Sequence, residues 1–246
     1  MIPNENHAPR RVLVTGGSGS IGSEIVRLFS KNGDTVAFLY SKNEESARAL
    51  SLETGAVAIK SDLSTSAGTR AAAKKASELL SGVDILVNCA GISKIKLFTD
   101  TTDDEISELI NVNLISSVIL ARELAPSMIS NKYGRIINIG SMWGERGASC
   151  EVIYSTAKAG MRGFTKSLAK ELGPSGITVN CIEPGFIDTP MNASLGENFA
   201  KEIINSTPIG RLGTQADVAS LVLYIASDSA EFITAQCIGV DGGIIL

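Results

Sequence analysis

The chain has 246 residues, of which 44% are hydrophobic, 20% charged and 5% aromatic, a composition typical of a globular protein. Its formal net charge of −4 gives no electrostatic reason to expect nucleic acid or an anionic membrane as a partner. The longest uncharged run, residues 109–121, is shorter than the roughly 18 residues that a membrane span needs. The first residues contain no apolar segment typical of a signal peptide, so we expect a cytoplasmic protein.

Two rare residue types exclude further kinds of site. The one histidine, His7, lies in a polar segment, 1–10, that we expect to be flexible, so neither a Ser-His-Asp triad nor a histidine-rich zinc site is predicted. The cysteines have no CxxC spacing and mostly adjoin apolar runs, which favours reduced thiols. They are Cys89, Cys150, Cys181 and Cys237. We therefore predict no metal site.

Apolar, β-branched runs alternate with helical patterns along the chain. The runs predict strands at residues 11–15, 35–40, 57–60, 83–88, 135–139, 177–182 and 237–240. Helical patterns include residues 20–32, 64–81, 102–131 and 154–172. Most strands are continuously apolar, as strands covered by helices on both faces are. The sequence predicts a single α/β domain, 1–246, with a doubly wound parallel sheet of about seven strands and helices on both faces. Residues 186–214, which follow a strand, contain prolines and glycines and are predicted to form a substrate-binding loop.

A glycine-rich turn, TGGSGSIG at residues 15–22, follows the first strand and opens the first helix. Glycines allow the backbone to approach a pyrophosphate, whose charge then lies at the helix N-terminus. A tight turn that binds nothing is the alternative. The predicted cofactor contacts here are Gly16, Ser18, Gly19, Ser20, Ile21 and Gly22.

The second strand ends at Tyr40, Ser41 and Lys42. A fold that binds NAD usually has an acidic residue at this point, hydrogen-bonded to the ribose 2′-hydroxyl. Ser41 and Lys42 could instead bind a 2′-phosphate, so we expect NADPH as the cofactor rather than NAD(H). In the alternative interpretation, Lys42 is a solvated loop residue.

Tyr154 and Lys158 are four residues apart on a predicted helix and therefore share a face. An ammonium group near a tyrosine lowers the pKa of its hydroxyl, which then donates and accepts protons more readily. Ser141 lies at the end of the strand 135–139, and Asn113 lies in the preceding helix. These four residues are the predicted catalytic group.

With these motifs in this order, the chain resembles the classical short-chain dehydrogenase/reductase family, which has a Rossmann-like fold. Asn88 to Gly91, Pro184-Gly185 with Thr189, and the Asp-Gly-Gly at 241–243 also match the family pattern. One position departs from it: Ser20 replaces the second glycine of TGxxxGxG. Gly19 stands where NADPH-preferring members often have arginine.

The resemblance implies a role for each catalytic residue. Tyr154 would protonate a carbonyl oxygen as hydride arrives from the nicotinamide, and Ser141 would polarise that oxygen. Lys158 would lower the pKa of Tyr154 and bind the nicotinamide ribose, while Asn113 would hold a water that relays protons. The further cofactor contacts that it implies are Asp62, Leu63, Asn88, Ala90, Gly91, Pro184, Gly185, Ile187 and Thr189.

Within the family, the chain is most similar to 3-oxoacyl-[acyl-carrier-protein] reductases, which implies a carrier-bound ketone and a place in fatty acid biosynthesis. The segment SMWGERGASCEVIYSTAK, residues 141–158, is instead similar to elongation factor P 5-aminopentanone reductases. An acidic carrier requires basic groups near the cleft mouth, and Lys132 matches one of the two expected positions. Glu145 or Glu151 could suit an aminated substrate, unless these charges only face solvent.

The family resemblance further implies a homotetramer, built through the two long helices. A small-molecule ketone remains possible as the substrate. A non-catalytic protein that binds a dinucleotide and acts in regulation is a remote alternative.

Overall fold

Parallel strands form a single sheet in the computed structural model, which describes residues 9–189 and 197–244. Within these residues the seven strands have the order β3-β2-β1-β4-β5-β6-β7, and every neighbouring pair is parallel. The predicted doubly wound sheet is confirmed. The strands are β1 (Arg11–Val14), β2 (Thr35–Tyr40), β3 (Val57–Lys60), β4 (Ile85–Asn88), β5 (Gly134–Ile139), β6 (Ile177–Pro184) and β7 (Cys237–Val240).

Helices connect the strands and cover both faces of the sheet. The sequence predictions do not delimit the helices at residues 44–54 and 215–225, and the helix at residues 197–206 lies inside the segment predicted as a loop. Residues 1–8 of the segment expected to be flexible, and residues 190–196 of that loop, lie outside the described residues. The helices are α1 (Ser20–Lys31), α2 (Glu44–Thr54), α3 (Ser66–Leu80), α4 (Asp103–Ile110), α5 (Ser116–Asn131), α6 (Trp143–Arg146), α7 (Val152–Leu172), α8 (Glu197–Ser206) and α9 (Gln215–Ile225).

Two apolar cores lie on opposite faces of the sheet. Phe29 of α1 and Val222 of α9 pack with Phe38 of β2 on one face. Met128 of α5 packs with Leu86 of β4 on the other, together with residues of α3 and α7. Because a strand side chain meets a helix whichever way it points, alternating polar positions are not needed.

The predicted helix 102–131 is interrupted by one π-helical turn, Asn111–Ile115, between α4 and α5. Such turns often occur at functional sites, and this one contains Asn113. The whole run Asp103–Asn131 is long and apolar enough to cross a membrane by length and composition. Half of its most apolar window is buried in the fold (50%), and a buried core helix has the same length and composition.

The strand order reverses between β1 and β4, which places a crevice at the carboxyl ends of these two strands. A Cβ atom on Gly16 would lie 2.9 Å from the Cα of Ala90, so the two strand ends are in close contact. Lys132 precedes β5 and therefore lies at the opposite, amino edge of the sheet. The expectation that Lys132 flanks the mouth of this cleft is wrong, because in a parallel sheet the residue before a strand is a strand length away from the crevice.

Candidate active site

The turn between β1 and α1 is tightly folded and leaves the start of α1 open. Gly16 has a φ of +67°, and a Cβ atom on Gly22 would lie 2.2 Å from the Gly16 carbonyl oxygen. Glycine is therefore needed at both positions. Gly19 is the N-cap residue of α1, and as a glycine it has no side chain that could accept a hydrogen bond from the first turn of the helix. The first N–H groups of α1, from Ser20 onward, can therefore bind an anion. Ser18, within the turn, is partly buried.

Gln215, the first residue of α9, joins this turn to the loop after β6. Its side-chain amide donates to Ser20 Oγ at 3.0 Å and to the carbonyl oxygen of Asp188. Ile187, which precedes Asp188, is buried and pairs with Gly213 in an isolated parallel bridge. Gln215 was not predicted, because its partners are distant in the sequence and no local motif marks it.

The carboxyl end of β6 adjoins the segment that carries Ser141. The backbone N–H of Met142 donates to the Pro184 carbonyl oxygen at 3.1 Å, and Gly185 donates to Val240 at 3.0 Å. Thr189, further along the same loop, is partly buried. The predicted cofactor contacts after β6, from Pro184 onward, therefore begin beside the segment that carries Ser141.

The strand β2 ends on the other side of the crevice. Tyr40 is partly buried there, and the two residues that follow, Ser41 and Lys42, are exposed. A hydroxyl and an ammonium group are thus accessible where the strand leaves the sheet, in the position predicted for a 2′-phosphate.

Asp62 follows β3 at the same edge of the sheet. Its carboxylate accepts hydrogen bonds from the backbone and the hydroxyl of Ser64, at 2.9 and 2.6 Å. These bonds lower the pKa of Asp62, so the group is charged at neutral pH. Leu63 beside it is buried. Asp62 is thereby fixed in orientation before any ligand binds.

The turn after β4 is held by hydrogen bonds from neighbouring strands. Thr15 Oγ1 accepts the backbone N–H groups of Cys89 and Ala90, at 2.9 and 2.8 Å. The buried Asn88 donates to Asn138 Oδ1 at 2.8 Å. These bonds fix the position of the turn after β4 relative to the glycine-rich turn, which begins at Thr15.

Ser141, Tyr154 and Lys158 come together where β5 ends and α7 begins. The Ser141 side chain lies near the Tyr154 hydroxyl and lowers its pKa. The buried Lys158 donates from Nζ to the Ile139 carbonyl oxygen at 2.8 Å, and Nζ lies 5.5 Å from the centre of the Tyr154 ring. A Cβ atom on Gly91 would lie 3.6 Å from this Nζ, so Lys158 also lies close to the turn after β4.

The pKa of Tyr154 differs from the sequence prediction. Burial of the Tyr154 hydroxyl raises its pKa to about 12, and the nearby Ser141 side chain only partly opposes this. Burial also lowers the pKa of Lys158. The predicted lowering of the Tyr154 pKa by Lys158 is not found, because Lys158 donates to a backbone carbonyl some distance from the hydroxyl. Tyr154 therefore keeps its proton at neutral pH.

Asn113 connects the π-helical turn to the loop after β4. Its amide nitrogen donates to the carbonyl oxygens of Ile92 and Leu109, at 2.8 and 2.9 Å. Its Oδ1 accepts the backbone N–H of Ile92 at 3.1 Å. The side chain is fully buried, so these contacts fix both segments beside Lys158.

A small cavity opens next to Tyr154. Glu151 lies in its wall and accepts a hydrogen bond from the Ser93 hydroxyl, and its charge also raises the pKa of Tyr154. Two lysines in the wall are ion-paired, Lys96 with Glu105 at 2.8 Å and Lys94 with Glu108 at 3.1 Å. Glu151 was predicted from the sequence, but Lys94 and Lys96 were not, because they lie in a loop that carries no motif. The lining residues are Lys94, Lys96, Phe98, Thr101, Glu105, Leu109, Cys150, Glu151, Val152, Ile153 and Tyr154.

Glu145, the other acidic candidate, is in a different place. It forms an ion pair with Arg162 at 3.1 Å and lines a second cavity, which adjoins β7. The expectation that Glu145 could bind an aminated substrate is therefore wrong, because its carboxylate pairs with an arginine outside the cavity beside Tyr154.

A glycine-rich turn at the switch point of a parallel sheet, beside a Ser–Tyr–Lys group, defines a dinucleotide-binding oxidoreductase. The sequence profile described as enoyl-(acyl carrier protein) reductase matches residues 16–245. Nodulation protein G of Rhizobium sp. (strain N33) is 41% identical over 239 residues, which are 96% of this chain and 97% of that protein.

Further similarities extend over the same length. The 3-oxoacyl-[acyl-carrier-protein] reductase FabG of Chlamydia pneumoniae is 39% identical over 241 residues, 96% of each chain. A blue fluorescent protein from a metagenomic library, solved in complex with NADPH, has a TM-score of 0.92 and 34% identity. That match covers 98% of this chain and 100% of the other. The chain belongs to the short-chain dehydrogenase/reductase family and is an oxidoreductase.

Proposed function

We propose that this enzyme uses NADPH to reduce a ketone to a secondary alcohol, and that the ketone is a 3-oxoacyl thioester on acyl carrier protein. The observation that carries the proposal is the proximity of Ser141, Tyr154 and the buried Lys158 at the sheet edge that carries the glycine-rich turn. The similarity to a 3-oxoacyl-[acyl-carrier-protein] reductase over the whole chain supports the substrate class.

The residues present fit a dinucleotide. The open start of α1 would bind the pyrophosphate, and Gly22 permits the close approach to the Gly16 carbonyl oxygen on which the turn depends. Ser41 and Lys42, with no carboxylate at the end of β2, favour a 2′-phosphate. The NADPH complex of a structural neighbour is consistent with this choice.

NADPH, when bound, supplies the hydride that adds to the carbonyl carbon. The Ser141 hydroxyl donates a hydrogen bond to the carbonyl oxygen and holds it next to Tyr154. Tyr154 gives its proton to that oxygen, since its hydroxyl is protonated at neutral pH. Lys158, which donates to the Ile139 carbonyl oxygen beside this group, would bind the nicotinamide ribose. Asn113 would hold a water that returns a proton to the site.

The cofactor preference is tested by kinetics with NADPH and NADH. We expect Lys42→Ala to raise the KM for NADPH by about tenfold, because one charge-assisted phosphate contact is lost, and to leave the KM for NADH unchanged. Lys74→Ala, a change of another exposed lysine, on α3, should affect neither. An equal rise in KM for both cofactors would exclude a 2′-phosphate contact at Lys42.

A second candidate substrate is a 5-aminopentanone group attached to elongation factor P. It is favoured by Glu151, whose carboxylate lies in the cavity wall beside Tyr154, and by the pairing of Lys94 and Lys96 with acidic neighbours. Paired lysines attract an acidic carrier less strongly, whereas a carboxylate attracts an amino group.

Glu151→Gln separates the two substrates. For a small 5-aminopentanone we expect kcat/KM to fall by about tenfold or more, since a charge-assisted contact is removed. For an acetoacetyl thioester, kcat/KM should not fall. Glu171→Gln, at the exposed end of α7, is the matched control. If Glu151→Gln impairs both substrates equally, the carboxylate does not select an amino group.

We also propose a cytoplasmic homotetramer, the assembly and location that the family resemblance implies. The long helices α5 and α7 would form one of its interfaces. Sedimentation at micromolar protein concentration is expected to give the mass of four chains, and a monodisperse monomer would contradict the proposal.

A further inference from the structure

A cluster of two thiols and a carboxylate lies at the β6–β7 edge and takes no part in the reaction proposed above. Parallel pairing places Cys181 beside Cys237 and Glu183 beside Gly239. Side chains alternate along a strand, so Cys181 and Glu183 point to the same face. The two sulfur atoms and a Glu183 oxygen all lie within 4.8 Å of one another.

The fold leaves room for this cluster. A Cβ atom on Gly140, at the end of β5, would lie 2.7 Å from Cys181 Sγ and 3.0 Å from the Glu183 side chain. Cys181 is fully buried, Glu183 is 4% exposed and Cys237 is half-buried. Buried carboxylates are normally paired or bind a metal.

We propose that Cys181, Cys237 and Glu183 bind one thiophilic divalent cation of the Zn²⁺ class. Thiolate and carboxylate are both zinc ligands, and bonds of about 2.0–2.3 Å in a tetrahedron put ligand atoms about 3.3–3.8 Å apart. The distance from Cys181 Sγ to Glu183 Oε1 is 4.0 Å, so only small side-chain movements are needed.

The second cavity gives an ion access to the cluster. Its volume is about 210 Å³, and Cys237, Glu183 and Asp241 all line it. The Asp241 carboxylate lies over Gly239, where a Cβ atom would be 3.1 Å from its Oδ2. A water in the cavity can therefore supply the fourth ligand.

Arg162 orients the carboxylate of the cluster. It pairs with Glu183 Oε2 at 2.6 Å and with Glu145 at 3.1 Å, while Glu183 Oε1 faces Cys181. A hydrogen-bond partner on the oxygen that does not bind the metal orients a ligating carboxylate and strengthens a metal site. The positive charge of Arg162 opposes a cation, but the three negative charges of two thiolates and Glu183 outweigh it.

The test is a titration of the reduced, untagged protein with Cd²⁺, followed by the ultraviolet absorbance of cadmium–thiolate bonds. We expect one Cd²⁺ per chain, with Zn²⁺ displacing it. Cys237→Ser should abolish the band, whereas Cys150→Ser, a change of another half-buried cysteine, should keep it. Glu183→Gln should weaken binding and retain the absorbance at saturation.

A second measurement separates loss of the site from loss of folding. Zn²⁺ should raise the thermal unfolding midpoint of the native and Cys150→Ser proteins but not that of Cys237→Ser, while all three bind NADPH equally. The absence of a cadmium–thiolate band in the native protein would overturn the proposal, as would a band of equal size in Cys237→Ser. Neither measurement uses turnover, so a failure here is distinct from a failure of the proposed ketone reduction.

Discussion

Tyr154 is buried at its hydroxyl, near the Ser141 side chain and close to the charge of Glu151. Burial and a nearby carboxylate both disfavour the ionised form, which explains a pKa of about 12. A tyrosine of this kind is a proton donor at neutral pH. It becomes a base only when the pH rises or when another positive charge approaches.

This pKa predicts opposite pH dependences for the two reaction directions. Ketone reduction needs protonated Tyr154, so its rate should stay level through neutral pH and fall only as the pH rises toward about 12. Alcohol oxidation needs the tyrosinate, so its rate should rise with pH over the same range. Initial rates with NADPH and with NADP⁺ across a pH series check this prediction. A reduction rate that increases with pH would mean that Tyr154 is not the acid.

Individual residues were predicted unequally well from the sequence. Tyr154, Lys158 and Ser141 lie in local motifs, so their proximity could be predicted. The effect of Lys158 on the Tyr154 pKa could not, because it depends on which acceptor the ammonium group reaches in the fold. Gln215 was missed, since its contacts join residues that are distant in the chain.

At the scale of elements, the turn between β1 and α1 has little tolerance for side chains. Its geometry depends on the close approach of Gly22 to the Gly16 carbonyl oxygen, which also sets the direction of the first N–H groups of α1. A change that separates these two residues would move the N–H groups away from the proposed pyrophosphate site.

We expect Gly22→Ala to weaken NADPH binding by about tenfold or more, because the added methyl group would lie 2.2 Å from a backbone oxygen. Fluorescence titration with NADPH measures the loss. Gly173→Ala is the matched control, since a Cβ atom there meets no described atom within 4 Å. Unchanged NADPH affinity in Gly22→Ala would exclude this turn as the pyrophosphate site.

Strands were easier to predict than helices. All seven predicted strands are present, because uninterrupted β-branched runs differ clearly from their surroundings. The helix at 102–131 was predicted without its π-helical turn, which depends on Asn113 bonding to the loop after β4. The amphipathic helix α8 was not distinguished from a loop, since it is short and flanked by glycine and proline.

Across the whole molecule, the strand order explains why residues far apart in sequence share a site. The carboxyl ends of β1, β4, β5 and β6 meet at one edge, and the glycine-rich turn, the catalytic group and the loop after β6 all follow these ends. The same order brings Cys181 and Cys237 together, although their spacing in the sequence predicted no metal site. Long-range pairing of this kind is not visible in sequence spacing.

We infer that Tyr154 gives its proton to the ketone that NADPH reduces. The most direct test is NADPH oxidation with an acetoacetyl thioester, run with the native protein and with Tyr154→Phe. We predict turnover by the native protein and a fall of about 10²- to 10⁴-fold in kcat for Tyr154→Phe, with NADPH still bound. Equal turnover by both proteins would contradict the account.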